Sequence, residues 1–143
     1  MAENKELYVV DASVMIKWLL HEENDAGAAL RLQDDHFRHK ISLAVPSHSF
    51  YEIMNIVGMK SPEEALTFLS QLFLFKLEEY VLTLSLTLKA LEVMKKFKGV
   101  TFYDAIYHAL AIKLGGIFIT ADRKYFEKTK SLKHVQLLKN YGK

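Results

Sequence analysis

The sequence predicts an α/β domain built on a mostly parallel sheet covered by helices on both faces. Short apolar runs alternate with longer segments of helical period, the pattern of strands joined through crossover helices. Half of the 143 residues are hydrophobic, enough for one domain to bury a core without staples. Two acids, Asp11 and Asp122, lie just past the carboxyl ends of apolar runs, where such sheets gather ligands near a topological switch point.

Taken in order, Leu7–Val10 is expected to be a strand ending at Asp11, followed by helices over Val14–Leu20 and Asn24–Asp34. Ile41–Val45 is a buried strand closed by Pro46, and Phe50–Met59 is helical in period. Ser61-Pro62-Glu63-Glu64 has the form of a helix start, with Ser61 as N-cap, Pro62 in the first turn and Glu64 completing a capping box. That helix should run to about Phe75. The alternation of Tyr80, Leu82 and Leu84 makes Leu77–Leu84 a strand. Leu86–Phe97 is amphipathic, with Leu88, Leu91 and Met94 on one stripe and Lys95, Lys96 and Lys98 at its carboxyl end. Thr101–Leu114 is a helix stopped by Gly115-Gly116. Ile117–Thr120 and Val135–Leu138 complete the strands. The chain carries no internal repeat, linker or low-complexity tract.

Composition excludes several classes. Cysteine is absent, which removes disulfides, thiolate metal sites and cysteine nucleophiles. The charged start, Met1–Leu7, lacks the form of a secretory signal, and no apolar run approaches the roughly 20 residues of a membrane span. A soluble, cytoplasmic protein with no membrane partner is expected. The net charge of +2 is small, but seven basic residues against Glu127 alone between Arg123 and Lys143 could hold a polyanion. There is no Gly-rich phosphate loop, HExxH or G-x-S-x-G motif.

The chemistry concentrates in four acids: Asp11, Glu52, Asp104 and Asp122. Each has an ordinary structural explanation. Asp11 and Asp122 can cap the helices that follow them, and Ser49-x-x-Glu52 and Thr101-x-x-Asp104 match capping-box spacing. Their joint placement argues for more. Phe50, Ile53, Met54 and Val57 form one apolar stripe, so Glu52 and Asn55 point roughly opposite, among Ile56 and Met59. The Thr101–Leu114 helix is apolar nearly all round and should be buried, leaving Asp104, Tyr107, His108 and Ala111 on its remaining stripe facing a cleft. Carboxylates are costly to bury without a partner, so several converging in a cleft imply a cation. Ser13 would hydrogen-bond Asp11 or a metal-bound water. His108 could serve as a ligand or base, with a hydrogen-bonded core histidine the favoured reading. His21, His36, His39, His48 and His134 show no metal-type pairing.

The ordered set Val10-Asp11-Ala12-Ser13-Val14 with Lys17-Trp18, Pro46, Glu52-x-x-Asn55, Tyr103-Asp104-Ala105-Ile106-Tyr107, Ala109-Leu110-Ala111 and Thr120-Ala121-Asp122 resembles the PIN-domain ribonucleases, specifically the VapC-type toxins of toxin–antitoxin pairs. The resemblance covers nearly the whole chain, so residues 1–143 are expected to form a single PIN-like nuclease domain. It implies a three-layer α/β/α fold with a parallel sheet of about five strands. It also implies a Mg²⁺ or Mn²⁺ site with Asp11, Asp104 and Asp122 as ligands and Glu52 completing the acidic quartet. Ser13, Thr120 and Asn55 would support these acids. RNA as substrate, a small antitoxin and a homodimer follow as implied partners. Two departures stand out: Asn55–Ser61 is short and lacks an Arg-rich stretch, and His108 stands where an apolar residue is common.

In such a site, two hard cations about 3.5–4 Å apart would activate water and stabilise the leaving 3′ oxygen in an in-line displacement. Glu52 would orient the attacking water or complete a second site, while Lys17 and Arg123 could position phosphates. An RNA-processing nuclease without an antitoxin and a catalytically silent PIN-like binding module are the alternatives. A receiver-type phospho-acceptor domain is disfavoured, because its paired acids after the first strand are missing.

Overall fold

The computed structural model describes residues 4–20 and 24–143. His21, set aside on sequence, lies outside them. Five strands form one sheet: β1 (Glu6–Val10), β2 (Ile41–Pro46), β3 (Glu78–Tyr80), β4 (Ile117–Thr120) and β5 (Val135–Leu137). Their order is β3-β2-β1-β4-β5 and every neighbouring pair is parallel. Parallel neighbours require crossovers, which the helices supply. These are α1 (Ala12–Leu19), α2 (Ala26–Phe37), α3 (His48–Lys60), α4 (Pro62–Leu74), α5 (Leu84–Lys96), α6 (Phe102–Leu114) and α7 (Arg123–Thr129).

Strand pleating divides the core in two. Tyr8 and Val10 of β1, with Leu43 and Val45 of β2, pack against Val14 and Met15 of α1, Leu32 of α2, Ile53 of α3 and Phe68 of α4. Val9, Ala44 and Phe118 point the other way, onto Leu86 and Val93 of α5 and Ile106 and Leu110 of α6. The expected three-layer architecture is therefore present. Each fully buried aliphatic side chain contributes about 1.5–3 kcal/mol, and Val9, Val10, Leu43, Val45 and Ile119 are all at 0% exposure.

The chain leaves β1 toward β2 on one side, then crosses back through α5 and α6 to place β4 on the other. The β1–β4 junction is thus the switch point, and its carboxyl end is the expected ligand crevice. Gly116 makes the junction close: a Cβ there would run into the Leu7 carbonyl oxygen. Gly115 ends α6 in the left-handed conformation at φ 69°.

Three expectations need correction. The strand expected over Leu77–Leu84 is only Glu78–Tyr80, because Thr83 accepts a hydrogen bond from the Leu86 amide at 3.1 Å and starts α5 at Leu84. In α5 the buried face is Leu86, Ala90 and Val93, whereas Leu88 and Leu91 are 63% and 48% exposed. The helix is apolar on more than one side, and packing against α6 selects the face. Ser61 joins α3 to α4 through its backbone: its amide donates to Val57 O at 2.7 Å and its carbonyl accepts from Glu64 N at 2.9 Å. Its side chain makes no capping bond.

Candidate metal centre

Asp11 follows the last residue of β1 and caps α1, so local structure and site use the same carboxylate. Its Oδ1 accepts from the Ser13 hydroxyl and from Val14 N at 3.2 Å, and its Oδ2 accepts from Thr120 Oγ1 at 2.8 Å. Ser13 and Thr120 are each used twice. Ser13 Oγ accepts from Ala121 N at 3.2 Å, and Thr120 Oγ1 accepts from Asp122 N at 3.1 Å. The tips of β1 and β4 are thereby fastened together across 109 positions of sequence. Of the four lone-pair directions of Asp11, three are taken, and one on Oδ2 is left for an electrophile.

The other acids reach the same place from different elements. Asp104 lies in the first turn of α6, capped by Thr101, whose hydroxyl accepts from Asp104 N at 3.2 Å. Asp122 caps α7 by accepting from Tyr125 N at 3.0 Å. Asp104 and Asp122 line one small cleft together with Lys124 and Lys128. Glu52, on α3, has its Oε1 2.9 Å from His48 Nε2, one turn earlier. The contact lacks hydrogen-bond direction, since Nε2 has no directed partner.

Electrostatics link the acids pairwise. Burial pushes the Asp11 carboxyl up to about 6, against the Ser13, Thr120 and Val14 hydrogen bonds that favour its anion, and Asp104 adds to the rise. Asp104 is raised by burial, then by Asp122 and Glu52, with Thr101 and His48 opposing. Tyr107 is buried within electrostatic reach of three of these acids. It is 1% exposed, its hydroxyl makes no directed hydrogen bond, and burial followed by Glu52, Asp11 and Asp104 raises its pKa.

All donors are hard oxygens, the set that Mg²⁺ and Mn²⁺ prefer, and an unused Asp11 lone pair beside mutually repelling carboxyls fits a divalent ion. Among the described residues, however, no three acidic, histidine or cysteine side chains are arranged to hold a metal ion as they stand. Three of the four carboxylates are turned to partners of their own: Asp11 to Ser13 and Thr120, Glu52 to His48, Asp122 to Tyr125 N.

Other expected residues are sorted by the same geometry. Asn55 is exposed and makes no hydrogen bond to the acids; His48 stands beside Glu52 instead. Only the four-residue spacing of His48 and Glu52 could have signalled this. Lys17 is 7% exposed and packed into α1's buried face, and Arg123 is exposed, while Lys124 and Lys128 border the cleft. His108 is a core histidine, at 0% exposure. The Lys133 carbonyl can only accept, so His108 Nε2–H donates to it at 2.7 Å, and Nδ1 accepts from the Tyr125 hydroxyl at 2.8 Å. Burial lowers its pKa, keeping it neutral.

Comparison with known proteins places the chain in a family. Residues 8–132 match the PIN domain family. The chain is 32% identical over 130 residues to Ribonuclease VapC3 of Pyrobaculum aerophilum, covering 87% of this chain and 95% of that protein. Among solved structures, a toxin–antitoxin complex from Klebsiella pneumoniae superposes with a TM-score of 0.67 at 17% identity, covering 92% of this chain and 97% of that one. VapBC2 from Rickettsia felis, solved on a DNA fragment of its promoter, gives 0.66 at 18% identity, covering 92% and 96%. These two likenesses concern the fold. The chain belongs to the PIN-domain family and, within it, to the VapC ribonucleases.

Proposed function

We propose that this protein is a divalent-metal-dependent endoribonuclease, the toxin of a toxin–antitoxin pair, that hydrolyses RNA phosphodiesters at the β1–β4 switch point. The observation that carries the reading is that Asp104 stands near enough to raise the Asp11 carboxyl, while Asp122 and Glu52 stand near enough to raise that of Asp104. Asp11, Asp104 and Asp122 would hold Mg²⁺ or Mn²⁺. The bound ion supplies charge neutralisation at the scissile phosphate and a water of lowered pKa.

The remaining work belongs to the chain's own groups. Ser13 and Thr120 keep Asp11 ionised and aimed. Glu52, placed against His48 Nε2, orients the attacking water and takes its proton. The Tyr107 hydroxyl has a hydrogen to donate beside Glu52. Lys124 and Lys128, on the same cleft wall as Asp104 and Asp122, pair with phosphate oxygens flanking the cut.

The proposed partners are a small antitoxin and a second copy of the chain. Support comes from the toxin–antitoxin complex among the structural neighbours and from exposed apolar side chains on α3 and α4, including Tyr51, Met59, Leu66, Phe73 and Leu74. The test is cleavage of RNA by purified protein with Mg²⁺, with Mn²⁺ and with chelator. Cleavage that requires a divalent ion and vanishes in Asp11→Asn is expected; metal-independent cleavage, or an active mutant, would reject the site. One observation favours a second reading, a silent binding module: no three ligands stand ready among the described residues. RNA binding without any divalent-ion binding would establish it.

A further inference from the structure

A cavity of about 270 Å³ opens directly beside the acidic site, its lining including His48, Tyr80, Leu82, Phe102, Tyr103 and Ile106. His48 belongs to both places, and Tyr103 adjoins the second in sequence. The His48 ring lies on Tyr107 at 4.8 Å and on Tyr103 at 5.9 Å between centroids, while its Nε2 faces Glu52 at 2.9 Å. Tyr103 immediately precedes Asp104 on α6. An occupant of the cavity is therefore one side chain's width from the acids.

We propose that this cavity is a nucleobase subsite, taking one unpaired base next to the phosphate being cut; the proposal rests on the ribonuclease reading and adds to it how the substrate is held. Size limits the occupant. The cavity is smaller than the roughly 300–1,000 Å³ of pockets for drug-sized ligands, so it admits about one planar ring system. Chemistry limits it further. Apart from Ser47 and His48 the walls are aromatic and aliphatic, and bases stack on such faces whatever their identity. Ser47 Oγ donates to Tyr80 O and the Tyr80 hydroxyl donates to Glu78 Oε2, both at 3.3 Å, so neither hydrogen is free to read the edge of a base. The subsite thus selects for an unstacked, single-stranded nucleotide and discriminates little among the four bases. A base held there is joined by its own sugar to a phosphate at the acids, a continuity that a protein side chain would lack.

Tyr103 and Leu82 are 65% and 59% exposed, so both tolerate substitution without disturbing the core. The test uses a short oligoribonucleotide with one 2-aminopurine moved stepwise along it, bound to the full chain in an Asp11→Asn background to prevent cutting. Fluorescence should be quenched at one position. The quench should persist in Tyr103→Phe and be lost in Tyr103→Ala and Leu82→Trp, with binding roughly tenfold weaker. An abasic residue at that position should erase the difference between Tyr103 and Tyr103→Ala. Quenching that survives both variants, or a Tyr103→Ala loss unchanged on the abasic strand, overturns the subsite. So does conversion of a dimer to a monomer by these variants with quenching intact, which would make the cavity a self-association face. Failure of the unmutated protein to cut RNA with Mn²⁺ would reject the nuclease reading separately, because the quench is read without cleavage.

Discussion

Replacing Thr120 by Val removes one hydroxyl and little else. Thr120 is at 0% exposure, and its Oγ1 both donates to Asp11 Oδ2 at 2.8 Å and accepts from Asp122 N at 3.1 Å. Two consequences are separable. The Asp122 amide loses its acceptor and a charge-assisted bond disappears, costing about 2–3 kcal/mol. For a domain of this size that is a fall in Tm of about 4–10 °C. The second consequence is a shift in ionisation. The Thr120 hydrogen bond favours the Asp11 anion, so its loss moves that carboxyl further above about 6. With a charged-acceptor bond contributing about 1.5 kcal/mol, the shift is about one pH unit upward. Calorimetric scans give the stability change, and the pH dependence of Mn²⁺-supported RNA cleavage gives the ionisation. The acidic limb of that profile should move to higher pH in Thr120→Val. An acidic limb that stays in place or moves downward would refute the role assigned to Thr120.

Asp11 has its folded pKa raised from 3.8 to about 6, so its ionisation opposes folding. Its contribution is fully present below about pH 4 and lost as pH rises to 6, about 3 kcal/mol in all; metal-free Tm should decline across that window and Asp11→Asn should flatten the decline. Tyr107→Phe deletes a buried hydroxyl that lacks a directed hydrogen bond, so urea unfolding should show little or no loss of stability while kcat falls roughly tenfold; a stability loss above about 2 kcal/mol would contradict the geometry. His108→Leu strips the Tyr125 hydroxyl and the Lys133 carbonyl of their partner and should cost about 2–4 kcal/mol in denaturant titration, with metal affinity little changed. A large loss of Mn²⁺ binding in a folded His108→Leu would return the histidine to the site.

Much of the fold was legible because strong local patterns and tertiary structure agreed. The runs around Val9, Leu43 and Phe118 are buried on both faces, as parallel strands must be, and the all-apolar α6 is buried along Ala105–Ala111. Strand ends and helix stripes singled out Asp11, Glu52, Asp104 and Asp122 as candidates. What remained hidden depends on which neighbour arrives. Periodicity marks α5 as apolar but does not choose Leu86, Ala90 and Val93 over Leu88 and Leu91; contact with α6 does. Thr83 and Ser61 both precede helices, yet only Thr83 spends its hydroxyl on the cap. His48 replaces Asn55 beside Glu52 because α3 begins at His48, earlier than the pattern suggested, which puts the pair one turn apart. The double use of Thr120 is visible only once β1 and β4 lie side by side.

Calorimetric titration of the metal-free protein with Mn²⁺ near pH 6, repeated in buffers of different ionisation enthalpy, reads cation and proton together. If these carboxyls jointly hold a divalent ion, binding should expel a proton from the site and should be abolished in both Asp11→Asn and Asp104→Asn. Binding without proton release, or binding equally strong in the two variants, would place the ion elsewhere.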